Sequence, residues 1–413
     1  MTSKFTLTLF GLVLFLLSAQ AQLQDISMGV SYGNQAYYSL DSDEVTQIKN
    51  ESWDIAFSKY LGQEGGIFVN ESVTSGGVGI EFYLAPTNNW DDPIEDISIY
   101  DDILPLLNDE ASWYEGAFNH IKSENDDTDY GWGVYDSGND VISGTEVFLM
   151  KNRAAEWSKL QIVSLEQGVY TLRTAQLDGS EETIFEIATT DYPDANVIHY
   201  SFATNEIIDV PQEYDFSMQR FINPVATNTG ELFEYPVTGV LLAPGTQAVS
   251  IDSVETDQVS FSDYEDQLTE RLDVIGHDWK YFDFNSGWVV DFDRANFVKT
   301  RNDDVYKVLL VDFAGSFSGN TTIEKTLITT VKVENSLAES IQVFPNPVSD
   351  YFVIKSDSEE VMQLAIYSID GQRIKNLTTQ NGALINVNSM QSGIYVLQII
   401  QGGNQWTQRL TIR

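Results

Sequence analysis

The chain has no cysteine, only three histidines and few positive charges. Each scarcity excludes something. Without cysteine there is no disulfide framework, no thiolate metal site and no cysteine nucleophile. A lipid anchor that needs an N-terminal cysteine is excluded as well. Lys and Arg number 22 against 62 Asp and Glu, a formal charge of −40. A field of that sign repels phosphate backbones, so nucleic acid is not an expected partner. Past the first residues no run is apolar enough to cross a bilayer as a helix, so the sequence predicts no transmembrane segment. Apolar matter is not scarce. Of 413 residues, 42% are hydrophobic and 12% aromatic. That suffices for a packed core, and the length fits two or three domains.

The two ends read as addresses rather than chemistry. Lys4, an apolar run from Phe5 to Leu17 and the small-x-small site Ala19-Gln20-Ala21 predict a signal peptide over residues 1–21. From Val331 to Arg413 six basic residues nearly balance seven acidic ones, so the acid belongs upstream. The shift predicts a linker over 331–340 and a separate domain over 341–413. That domain reads as short alternating strands: Tyr351-Phe352-Val353-Ile354, Leu364 to Ile369 turned by Asp370-Gly371, Gly393 to Ile399, and Trp406 to Ile412. A small β-sandwich follows. Phe344-Pro345-Asn346-Pro347, Leu364 to Gly371, Gly393 to Ile399 and the basic end Arg409/Arg413 resemble the type A sorting domain of the type IX secretion system. The resemblance implies export through that machinery to the outer-membrane surface or beyond, with tail processing.

The head, residues 22–330, is internally repeated. Tyr38-Ser39-Leu40, Glu44-Val45 and Trp53-Asp54-Ile55-Ala56-Phe57 match Tyr200-Ser201-Phe202, Glu206-Ile207 and Tyr214-Asp215-Phe216-Ser217-Met218, at an offset of 161–162. Further on, Trp132 matches Trp279, and Trp157 to Leu160 match Val305 to Val308, at 147–148. Two related units over about 25–190 and 196–330 are expected. Their period is too long for a solenoid. Alternation and β-branched or aromatic enrichment make most elements antiparallel strands, so the fold class is mainly β. One helix per unit is expected: Tyr114/Phe118/Ile121 in the first. In the second, a Ser262-x-x-Glu265 capping box precedes Tyr264, Leu268, Leu272 and Ile275.

Trp53 to Phe57 after a Tyr-x-Leu strand resembles the HmuY family of surface haem-binding proteins. So do Tyr214 to Phe221, Tyr235 to Leu242, Gly276-His277-Asp278-Trp279-Lys280 and Val305-Tyr306-Lys307. The resemblance implies a mostly β protein that captures haem as its cofactor and passes it to an outer-membrane haem receptor. Family members use paired histidines or methionines as iron donors, and no such pair aligns here. The residues offered as donors are His277, its counterpart Tyr130 in the first unit, and His120. His199, Met150 and Met218 read as packing residues.

Other chemistry is thin. Gly29-Val30-Ser31-Tyr32-Gly33 matches the serine-hydrolase elbow in letters only, because no helix pattern follows. Glu124, Asp126, Asp127 and Asp129 lack calcium-loop spacing, so no metal site is expected. The reading is a non-enzymatic surface protein that binds haem. The alternative is an adhesion protein of the same fold without haem.

Overall fold

The computed structural model describes residues 21–413 except 110, 124, 227–231, 329–340, 357, 359, 369–372 and 402–403. The expected signal peptide, the linker and the Asp370-Gly371 turn therefore lie almost wholly outside the described residues. The chain divides into two compact units at Thr329/Thr330. Both are mainly β, with antiparallel sheets and only short 3₁₀ turns among the described residues.

In the head, the matched segments do not fold as two consecutive blocks. Each lends its first strands to the other. The hairpin Asn34–Tyr38/Val45–Lys49 pairs with Phe216–Ala226 of the second unit. The equivalent hairpin Val197–Ser201/Glu206–Ile208 pairs with Ile55–Ser58 of the first. The registers agree residue for residue. Tyr38 lies opposite Phe216, and Tyr200 lies opposite Ile55. The strand before each hairpin pairs in an equivalent way: Gln22–Ser27 with Asn320–Ile328, and Thr183–Ala188 with Val169–Ala175. Two interlocked assemblies result. One core holds Ile55 to Leu172 together with Ile187, Ile198 and Tyr200. The other holds Ile26 to Leu40 together with Phe216 to Ile323. The long strands Trp157–Glu166 and Val305–Phe313 bulge at matching places, Ile162/Ser164 and Leu310/Asp312.

An aspartate at the start of a strand fastens each exchanged hairpin. The Asp54 amide donates to the Tyr200 carbonyl (2.8 Å), and the Asp54 carboxylate accepts from the Phe202 amide (2.6 Å). The Asp215 amide donates to the Tyr38 carbonyl (2.8 Å), and its carboxylate accepts from the Leu40 amide (2.7 Å). The two sites differ in charge compensation. Arg153 forms an ion pair with Asp54, which is 1% exposed, and also donates to the Trp53 carbonyl. Arg301, at the matching position, donates to the Tyr214 carbonyl but pairs with the exposed Glu213. Burial therefore pushes Asp215 up to about 6.

Neither expected helix forms. The Tyr114/Phe118/Ile121 stripe becomes a single turn, Ala117–Asn119. There Asn119 accepts from the Ile67 and Gly116 amides and donates to the Gly65 carbonyl. The Ser262 segment makes only the turns Phe261–Asp263 and Glu265–Gln267. Beyond them the backbone is taken up by strand edges. Thr269 exchanges two bonds with Ala248, and the Leu272 and Gly276 carbonyls accept from Leu242 and Val240. Leu268, Leu272 and Ile275 enter three different clusters, so their spacing does not describe one helical face.

The tail unit is two sheets around one core from Ile341 to Ile412. One sheet holds Ile341–Phe344, Tyr351–Ser356 and Leu384–Asn386. The other holds Arg373–Thr379, Met362–Ser368, Gly393–Gln401 and Asn404–Ile412. Asn346 of the Pro-Asn-Pro motif ties itself to the last strand, donating to the Arg409 carbonyl and accepting from the Thr411 amide.

The paired aspartates should respond in opposite ways. Asp54→Ala strands Arg153 and the Phe202 amide, and should cost about 3–5 kcal/mol in denaturant unfolding. Asp215 titrates near 6 folded and near 3.9 unfolded, so its charge destabilises the fold above pH 6 and not below pH 4. Asp215→Asn should therefore stabilise the chain by roughly 2–3 kcal/mol at pH 7.5, with the gain gone by pH 4.

Candidate ligand-binding site

Where the two assemblies interlock, equivalent residues from both repeats meet around a cleft. Tyr37 and His199, its counterpart at offset 162, both line it, as do Trp53 and its match Tyr214. The ring contacts repeat the symmetry. Tyr37 and Tyr214 meet edge to face at 4.9 Å, as do Trp53 and His199 at 4.7 Å. Phe68 and Trp113 add a further aromatic pair at 5.4 Å. The cleft has about 540 Å³ of free space, its open mouth included. The cavity within it is small, about 50 Å³.

Part of the lining is internally satisfied. The Tyr37 hydroxyl (2.6 Å) and the Trp53 indole (3.1 Å) both donate to Gln35, which donates in turn to Asn70. Asn70 donates to the Asn50 and Trp53 carbonyls. Glu71 accepts from the Asn108 and Ile222 amides. Two other groups of the lining are not fully satisfied. His199 is 7% exposed, and its Nδ1 has no partner. Burial lowers its pKa to about 3, so the ring is neutral at pH 7. Arg220 donates to the Val73 and Pro236 carbonyls, while its buried Nε has no partner. Burial also lowers the pKa of this guanidinium. Sequence reasoning placed His199 among packing residues. The available signal was its equivalence to Tyr37, which puts a ring nitrogen where the other repeat has a phenol.

The sequence-predicted donors lie elsewhere, and no hydrogen bond or ring contact joins them among the described residues. Tyr130 is half-buried beside Trp132, at 6.5 Å between rings, and packs on the first core. It presses on Gly65, where a Cβ would lie 2.4 Å from the ring. His277 is half-buried with its ring edge-on to Phe221 at 6.1 Å. Burial lowers its pKa. His120 is exposed after the Ala117–Asn119 turn. Ser31 sits on a turn between two strands, so the strand-turn-helix elbow is not built. Asp126 and Asp129 are engaged by nearby backbone amides. No metal-holding group of three occurs among the described residues.

Tyr130 and His277 each precede a two-stranded finger, and the fingers differ. Gly133–Asp136/Val141–Gly144 carries Val134, Tyr135 and Ser137, with Ile142 buried. Lys280–Asp283/Gly287–Val290 carries Tyr281, Phe282, Phe284 and Trp288, all exposed, with Phe284 at 96%. Phe282 meets Phe284 at 5.7 Å and Trp288 at 5.5 Å, and Trp288 rests on Phe313 at 5.0 Å. Lys280 lies 3.9 Å from the centre of the Trp279 ring, and burial lowers its pKa to about 7. Gly315 passes so close that a Cβ there would lie 2.5 Å from the Trp288 indole nitrogen.

No curated protein matches the chain. Among solved structures it is similar to apo PinO from Porphyromonas gingivitis, with 8% identity over 76% of this chain and 99% of that one, at a TM-score of 0.23. A polysaccharide lyase follows at 8% identity, 95% and 46% coverage, and a TM-score of 0.15. The extracellular domain of a hybrid two component system from B. thetaiotaomicron follows at 8%, 71% and 45%, and 0.13. Scores this low support no structural or functional argument. The tail is different: residues 342–413 match the secretion system C-terminal sorting domain. The chain therefore carries a type IX sorting domain, which directs it to the cell surface or the extracellular space.

Proposed function

We propose that the head is a non-enzymatic capture module working outside the cell, and that its ligand is haem or a related tetrapyrrole. The observation that carries this reading is the aromatic finger that follows His277 in the chain. A macrocycle needs an apolar, aromatic wall and a donor for iron. The first repeat builds the same finger without the exposed rings of Phe282, Phe284 and Trp288, so folding does not require them. An exposed apolar group of this kind marks an interaction surface. His277 lies three residues before the finger, and its carbonyl accepts from Lys280. The interior cleft is not the place for haem, since a cavity of about 150 Å³ is needed even for benzene. An outer-membrane haem receptor is the partner this reading calls for. The same exposed rings also favour a second reading, an adhesion surface without haem affinity.

Titrating the full chain with haemin should give a shifted Soret band at equimolar ratio. Trp288→Ala or Phe284→Ala should weaken binding at least roughly tenfold, the loss of one buried aromatic contact. His277→Ala should move the band itself. No Soret change under oxidising or reducing conditions would overturn the haem reading and leave adhesion. Truncation after Leu337 should hold the chain in the periplasm, measured by surface labelling of intact cells. Normal display of the truncated chain would contradict a sorting role for the tail.

A further inference from the structure

A cavity of about 260 Å³ in the head shares no residue with the finger and takes no part in the haem reading. We propose that it is a second binding site, for a small organic ammonium ion. A cavity of about 150 Å³ already holds benzene, so a cation the size of tetramethylammonium has room here.

The chemistry of the lining selects the ligand. Tyr60, Trp113 and Tyr114 line the cavity together with Glu270 and Arg271. The Tyr60 and Tyr114 rings meet at 5.6 Å, tilted by 35°. Glu270 is exposed and accepts from the Tyr60 hydroxyl (3.3 Å) and the Gln247 amide (3.4 Å). It has no cation partner among the described residues. Arg271 is paired with Asp273 at 2.5 Å, so its charge is already met. Tyr114 also lines an adjoining hollow that holds Asp126, Asp127 and Asp129. Aromatic faces attract a cation through the ring quadrupole, and a carboxylate beside them adds a direct charge interaction. The −40 charge of the chain raises the local concentration of cations further. An anion would meet Glu270 and that field. A neutral ligand would gain nothing from either.

The repeats supply an internal comparison. In the first, the Val69 and Ile67 amides donate to the Asn108 and Asn119 side chains. In the second, the matching Leu242 and Val240 amides donate to the Leu272 and Gly276 carbonyls. The two contacts lie 11 positions apart in the first repeat and four in the second. The extra length carries Ser112, Trp113 and Tyr114. It reaches the other assembly, where the Trp113 indole donates to the Leu242 carbonyl at 3.3 Å. The second repeat makes the same strand contacts without such a stretch, so folding of the strands does not call for these rings.

The test titrates the full chain with tetramethylammonium, choline and butylammonium, followed by calorimetry and tryptophan fluorescence. At least one should bind with Kd of roughly 10⁻² to 10⁻⁴ M. Glu270→Gln should weaken that ligand at least roughly fivefold with Tm unchanged, since the substitution removes charge at an exposed position and keeps the shape. Tyr114→Ala should weaken it by at least a similar factor. 3,3-Dimethylbutan-1-ol, the uncharged isostere of choline, should bind at least roughly tenfold more weakly than choline. Phe284→Ala should leave amine binding unchanged, and haemin should not displace the amine. This separates the two sites, so either reading can fail alone. No binding by any of the three cations to about 50 mM would overturn the proposal. So would a bound cation indifferent to Glu270→Gln, or an uncharged isostere that binds as tightly as choline.

Discussion

Two buried aspartates hold the head together. Each sits at the start of a strand, at Trp53-Asp54-Ile55 and Tyr214-Asp215-Phe216. Each fastens a hairpin that comes from the other repeat, with its amide on one carbonyl and its carboxylate on one amide. The hairpin's edge groups would otherwise be unpaired in the interior, where each lost bond costs about 1–3 kcal/mol. The exchange of strands, the register of both four-stranded sheets and the interlocking of two cores all follow from these contacts. The clamps also explain why the repeats cannot separate. Neither core is complete without strands lent by the other.

Against that common frame, the differences between the repeats show what the fold does not dictate. Where the backbone is the same in both halves, a residue that changes is not dictated by the fold. Arg153 pairs with its aspartate and Arg301 does not. Tyr37 is satisfied by Gln35, and His199 keeps a free nitrogen. Ile142 is buried, and Trp288 at the matching finger position is exposed among other rings. The last two differences mark the finger and the cleft. The first leaves a carboxylate with a raised pKa inside the clamp.

Much of this was legible in the sequence. The strands of the tail follow from alternation, and its sorting role from four ordered motifs. The repeat was visible because the residues that build the clamp and the paired strands are the ones that match. The helices were not legible. Leu268, Leu272 and Ile275 have helical spacing, but strand edges claim the neighbouring backbone and draw each side chain into a different cluster. Local periodicity cannot register that competition. Nor could it reveal the cleft, because Trp53, His199 and Gln219 are far apart in the chain.

The sequence by itself determined the mainly β class, the acidic head with its near-neutral sorting tail, the duplication, and the exclusion of all cysteine chemistry. These depend on composition, on local alternation and on matches between short segments. The tertiary structure alone decided that the repeats trade strands, that Asp215 lacks the cation Asp54 has, and that an unpartnered His199 faces a cleft where the halves meet. Those outcomes depend on pairing between distant strands, which burial and hydrogen bonding settle only once both cores close.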